Sequence, residues 1–186
     1  MGQRPKQASG FHPPAFGLRN LTLAGIFCLG VTLRFIHLFL YRNDFWFQTP
    51  LLDDNLFFAW AGTIKIEGFL APSLGLFNLN PGYPYLLALL GKIMEIKYFS
   101  VFALQHIIGA IILVFQYIFC EKIFDKRTAL CTALLASAYG PSFFYESRFL
   151  GEFWIFVFNT LALGFLVLAV KSHPKTFWGL SGLSIG

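Results

Sequence analysis

Two adjacent carboxylates, Asp53 and Asp54, stand inside an aromatic stretch that includes Phe45, Trp46, Phe47, Phe57, Phe58 and Trp60. A second acidic pair, Glu146 and Glu152, lies six residues apart further along the chain. Acids in apolar surroundings have the chemistry of a general base, because a lowered local dielectric favours the protonated form and lifts the carboxyl toward neutral pH. Neighbouring carboxylates such as Asp53 and Asp54 can also hold a divalent cation against a phosphate. The plainer roles of the same residues are local. Asp53 can cap a helix with Asp54 as a first-turn acid, and Glu146 or Glu152 can pair with Arg148 or face interfacial water.

The candidate cations are Arg34, Arg148, His106 and Lys97, whose chemistry suits the phosphate of a lipid. Arg34 and His37 lie in an apolar run, where an ionisable side chain either faces the bundle interior or snorkels toward the headgroups. His37 and His106 have no partner at metal-ligand spacing. No Gly-rich phosphate loop ending in lysine, no Gly-x-Ser-x-Gly elbow and no dinucleotide fingerprint occurs, so nucleotide chemistry has no support.

These residues must be positioned by membrane-spanning helices. Of 186 residues, 56% are hydrophobic and 12% charged, and the mean hydropathy is +0.65, outside the range of soluble domains. The spacing predicts an all-α, polytopic transmembrane bundle with about four spans, at 18–41, 99–120, 128–144 and 153–170. A net charge of +5 does not indicate nucleic acid, because the basic residues cluster at span ends. Arg4, Lys6 and Arg19 precede the first span, Lys122, Lys126 and Arg127 follow the second, and Lys171 and Lys175 follow the fourth. Alternate loops are therefore positive, which predicts a cytoplasmic N-terminus and puts residues 42–98 and the turn around Glu146 on the extracytoplasmic side. The location is an integral membrane, the plasma (inner) membrane in a prokaryote. Cys28, Cys120 and Cys131 lie in or beside apolar segments and read as packing residues.

In the large outer loop, Leu56 to Ile66 repeats apolar residues at helical spacing behind Asp53, Asp54 and Asn55, which predicts an interfacial helix. A second interfacial helix is predicted over 84–96, with Tyr83, Tyr85, Lys92 and Lys97 at headgroup level. Residues 78–84 form the turn between them. The organisation is then a tail over 1–17, a membrane domain over 18–176, and in 177–186 the opening of a fifth span that stops after about ten residues, half of what a crossing requires.

Several pieces, in this order, resemble the GT-C class of membrane glycosyltransferases, particularly the protein-mannosyltransferase-like and aminoarabinose-transferase-like enzymes. They are Leu33-Arg34-Phe35, Leu52-Asp53-Asp54-Asn55-Leu56-Phe57-Phe58-Ala59-Trp60-Ala61, the Phe-Asn-Leu-Asn-Pro-Gly-Tyr-Pro-Tyr run from Phe77, and the stretch from Tyr139 to Glu152. The resemblance implies transfer of a sugar from a polyprenyl-phosphate-linked donor to a lipid, glycan or protein acceptor. Asp53 would be the base on the acceptor with Asp54 assisting, Glu152 or Glu146 the acid of the second loop, and Arg34 or Arg148 the cation that stabilises the departing phosphate. Most family members carry Asp-Glu where this chain has Asp53-Asp54, and the aminoarabinose enzymes have Lys-Pro-Pro where it has Asn80-Pro81-Gly82. Family members also have many more spans, so the implied activity is that of the parent protein, and an inactive piece of the transferase is one alternative. The other is a non-catalytic transporter or lipid-binding assembly subunit.

Overall fold

The structure, a computed structural model, describes residues 17–49, 52–75, 79–93, 97–172 and 175–185. Arg4, Lys6 and Asn78 of the sequence reading lie outside these residues. All regular structure among them is helical. The order is α1 (Leu18–Tyr41), α2 (Phe45–Gln48), α3 (Asp53–Glu67), a 3-10 turn (Pro72–Leu74), α4 (Gly82–Ile93), α5 (Tyr98–Ile123), α6 (Lys126–Ser137), α7 (Gly140–Glu146), α8 (Glu152–Ser172) and α9 (Lys175–Ile185).

Three helices, α1, α5 and α8, are long and apolar enough to cross a membrane. At 24, 26 and 21 residues each rises at least about 31 Å, matching a hydrocarbon core of about 30 Å. The protein is thus an all-α bundle with three candidate spans rather than the predicted four. The predicted span over 128–144 is two pieces, α6 and α7, interrupted at Ala138 and Tyr139. Pro141 sits in the first turn of α7, where its missing N–H is harmless, but it could not continue a helix begun at Lys126. The segment read as the opening of a fifth span is the 11-residue helix α9, which is not among the three candidate spans.

α1 packs on α5 along its length. Gly30 allows the approach, for a Cβ there would stand 3.0 Å from the Leu113 side chain and 3.4 Å from Ala110. α6 returns along α5 with Ala129 and Ala133 buried against Ile26, Leu113 and Tyr117, small residues that let helices come close without a hydrophobic drive. Asp125 starts α6 by accepting hydrogen bonds from the amides of Arg127 and Thr128 at 2.7 and 3.0 Å. At this end of the bundle Arg19 pairs with Glu121 at 3.4 Å, and Lys122, Lys126, Arg127, Lys171 and Lys175 lie at its helix ends. Cys28 and Cys131 are exposed on helix faces and Cys120 is half-buried, so the packing role expected of the cysteines is confined to Cys120.

The opposite end carries a layer made of α2, α3 and α4. Its core joins Phe47, Phe57, Ala61 and Ile64 to Tyr83, Leu87 and Ala88, and these to Leu38 of α1, Val101 and Phe102 of α5, and Phe149 before α8. α4 begins at Gly82, two residues earlier than predicted. The Asn80 side chain accepts from the Gly82 amide at 2.9 Å, an Asx-type turn that starts the helix and leaves Pro84 in its first turn.

Candidate active site

The functional candidates gather where the α2–α4 layer meets α1, α5 and α7. α3 opens without a side-chain cap: Leu52 occupies the N-cap position at φ +52°, and both Asp53 and Asp54 lie in the first turn. Sequence reasoning offered Asp53 as the cap. A tertiary partner takes over instead, because the Asp54 carboxylate forms an ion pair with the Arg148 guanidinium. Asp54 is buried and Asp53 exposed. Burial pushes the Asp54 carboxyl above its ordinary value, and the neighbouring charge of Arg148 opposes that rise.

Behind this pair lies a second one. Glu146, the last residue of α7, accepts from Arg34 Nε at 3.1 and 2.9 Å and from Nη2 at 3.0 Å, and both side chains are almost fully buried. The forked contact is the geometry in which arginine holds a carboxylate best. Helix α5 makes room for it at Gly109, where a Cβ would collide with Glu146 Oε1 and stand 2.9 Å from Arg34 Nε. His106 Nδ1 lies 3.6 Å from Glu146 Oε2, its Nε2 lies 3.4 Å from His37 Nδ1, and Ser147 Oγ is 3.5 Å from the same His37 nitrogen. Phe143 covers Arg34, with its ring centroid 5.2 Å from the guanidinium carbon.

The structure therefore brings together Asp54 with Arg148, and Glu146 with Arg34 and His106. Asp53, Glu152 and Lys97 are exposed. Glu152, in the first turn of α8, lines a cavity of about 270 Å³ with Glu146, Ser142, Tyr145, Phe153 and Phe156. Three participants had been missed or misplaced: Gln105, Ser147 and Tyr83. Tyr83, expected at headgroup level, is buried and donates to Gln105 Oε1 at 2.7 Å. The usable signal was the polar pair Gln105-His106 inside an apolar helix, since such residues in a span face the protein interior.

Among the described residues no group of three or more His, Cys, Asp or Glu could hold a metal ion. Asp54 is committed to Arg148 and Asp53 has no third ligand beside it, so these residues do not fit a divalent cation.

Residues 78–186, more than half of the chain, match the family model of dolichyl-phosphate-mannose-protein mannosyltransferase. The chain belongs to this family. It is a membrane glycosyltransferase, and the transfer runs from a polyprenyl-phosphate-linked sugar to an acceptor. No curated protein and no solved structure matches the chain. The family match covers Tyr83, Gln105, His106, Glu146, Arg148 and Glu152, whereas Arg34, Asp53 and Asp54 precede it. Arg34 and Asp54 are tied to the matched region by ion pairs with Glu146 and Arg148, and Asp53 is the chain neighbour of Asp54.

Proposed function

We propose that the mannosyltransferase family member acts at this end of the bundle, with Asp53 as the base on the acceptor. The observation that carries the reading is the Asp54–Arg148 ion pair. It anchors the first turn of α3 to the turn before α8 and leaves Asp53 exposed. An acceptor hydroxyl or amine loses its proton to the Asp53 carboxylate as it attacks the anomeric carbon. The bond from that carbon to the phosphate oxygen breaks, and polyprenyl phosphate departs with its charge.

Of the four cations considered for the leaving phosphate, Lys97 is exposed and Arg148 partly exposed. Arg34 and His106 are buried around Glu146 and hold the loop that carries Arg148. Glu152 is the second acid, facing the substrate across the cavity that it shares with Tyr145. The site faces away from the cytoplasm, a reading supported by the basic residues at the other end of the bundle. The broken pair α6–α7 is then a further crossing between α5 and α8, consistent with its return along α5.

The test uses the full-length protein in lipid vesicles with radiolabelled polyprenyl-phosphate mannose and membrane-extract acceptors. Asp53→Asn lowers transfer by about 10²- to 10⁴-fold, the scale of a lost general base, while expression and thermal stability stay at wild-type levels. Transfer retained in that variant removes Asp53 from the role.

A further inference from the structure

The turn that follows α7 carries the arginine that fixes Asp54, and past the end of a helix its carbonyls have no helical partners. Two of them, those of Glu146 and Arg148, accept from one side chain. Gln105 Nε2 donates to the Glu146 carbonyl at 2.9 Å and to the Arg148 carbonyl at 3.1 Å. Its Oε1 accepts from the Tyr83 hydroxyl at 2.7 Å. The amide orientation follows from chemistry: carbonyls only accept, so the nitrogen must face them and the oxygen must face the phenol. Burial, and after it the charge of Asp54, pushes the Tyr83 phenol up, so Tyr83 remains the donor.

Gln105 is almost fully buried in the middle of the site. An amide there is tolerable only when satisfied, since an unpaired one is expensive away from water. Here both donors and the acceptor are used, and the partners come from α4 and from residues 146–148 at the end of α7. The same turn is gripped by Arg34 through the Glu146 side chain and by the Phe149 ring packed on Phe102 and Phe58. Gln105 is the group that holds its backbone.

We propose that Gln105, oriented by Tyr83, is a positioning residue for sugar transfer: it fixes the backbone from which Arg148 reaches Asp54, and through Asp54 it sets the first turn of α3. The inference rests on the reading of Asp53 as base. Displacing a reacting group by an ångström costs rate far more than binding, so loss of the clamp falls on turnover and leaves donor affinity nearly intact.

The experiment compares Gln105→Leu, Tyr83→Phe, Arg148→Lys and the Gln105→Leu/Arg148→Lys double variant, all full-length and in vesicles with polyprenyl-phosphate mannose. Gln105→Leu lowers kcat by about tenfold or more with the donor KM within about twofold, and Tyr83→Phe lowers kcat by about threefold. The double variant is no slower than its slower parent, because both changes break one linkage. Wild-type kcat in Gln105→Leu and Tyr83→Phe, or losses that multiply in the double variant, overturns the proposal. If Gln105→Leu fails to assemble, Tyr83→Phe decides, as it removes a single oxygen. The two readings separate cleanly: transfer retained in Asp53→Asn defeats the base assignment, whereas abolished transfer in Asp53→Asn beside wild-type kcat in both clamp variants defeats the positioning role alone.

Discussion

The two ends of the bundle solve the problem of charge in opposite ways. At the basic end, Ile26, Leu113, Tyr117, Ala129 and Ala133 make an apolar contact, and the Arg19–Glu121 pair stays partly exposed. At the site end, Arg34, Asp54 and Glu146 are inside, together with Gln105, His106 and Ser147. Exposed pairs contribute little to stability and are replaceable. Buried pairs are costly to desolvate and add little net stability, so their value is geometric. One end of the molecule is thus built to be insensitive to its charges, while the other depends on each of them being in place.

Breaking the inner pair tests that contrast most severely. Glu146→Ala leaves Arg34 buried and uncompensated, with an expected loss of about 3–5 kcal/mol, read as a fall in the thermal unfolding midpoint of detergent-solubilised protein. Glu121→Ala at the basic end costs less than about 1 kcal/mol. An Arg34→Met/Glu146→Leu double variant recovers most of the stability that Glu146→Ala loses; failure to recover it would make the pair a source of stability and dissolve the distinction. A smaller effect is expected at Gly109, where alanine must push the ion pair aside at about 1–3 kcal/mol. Gly25→Ala on α1 has no neighbouring atom within 4 Å and changes stability little. Equal losses at the two glycines would mean that the Glu146 seat is not tightly packed.

The smallest signal is a slope. Because burial raises the Asp54 carboxyl, the folded state binds that proton more tightly than the unfolded chain. Its contribution therefore favours the fold at low pH and is lost as pH rises through the folded value. Asp54→Asn removes this contribution, so the midpoint against pH is flatter in the variant than in the parent between the unfolded value and neutrality. An unchanged slope would show that Asp54 is not the group responsible.

Length and hydropathy made the main helices legible: α1 begins and ends where its apolar run does, and α5 and α8 extend the predicted segments by three residues or fewer at either end. The third span misled because hydropathy does not register the break imposed ahead of Pro141. The candidate acids were visible as residue types, but their pairing was not. Asp54 and Arg148 are 94 positions apart, with no periodicity that links them, and only the folding of α3 over the bundle end makes them partners. Gln105 was obscure for a related reason. The Gln105-His106 pair signals a position that faces the interior, but the role of the amide comes from the two carbonyls and the phenol that surround it.

The interruption after Ser137 also bears on biogenesis. The twelve residues of α6 rise about 18 Å, include Lys126 and Arg127, and offer only Leu130, Leu134 and Leu135 as large aliphatics. A translocation channel that sorts emerging segments by apolar length would release such a piece to water. Its small-residue face is complementary to α5, which leaves the ribosome just before it. Contact with α5, rather than the hydropathy of α6, seats this helix in the bundle, and α7 after it carries Glu146 to Arg34.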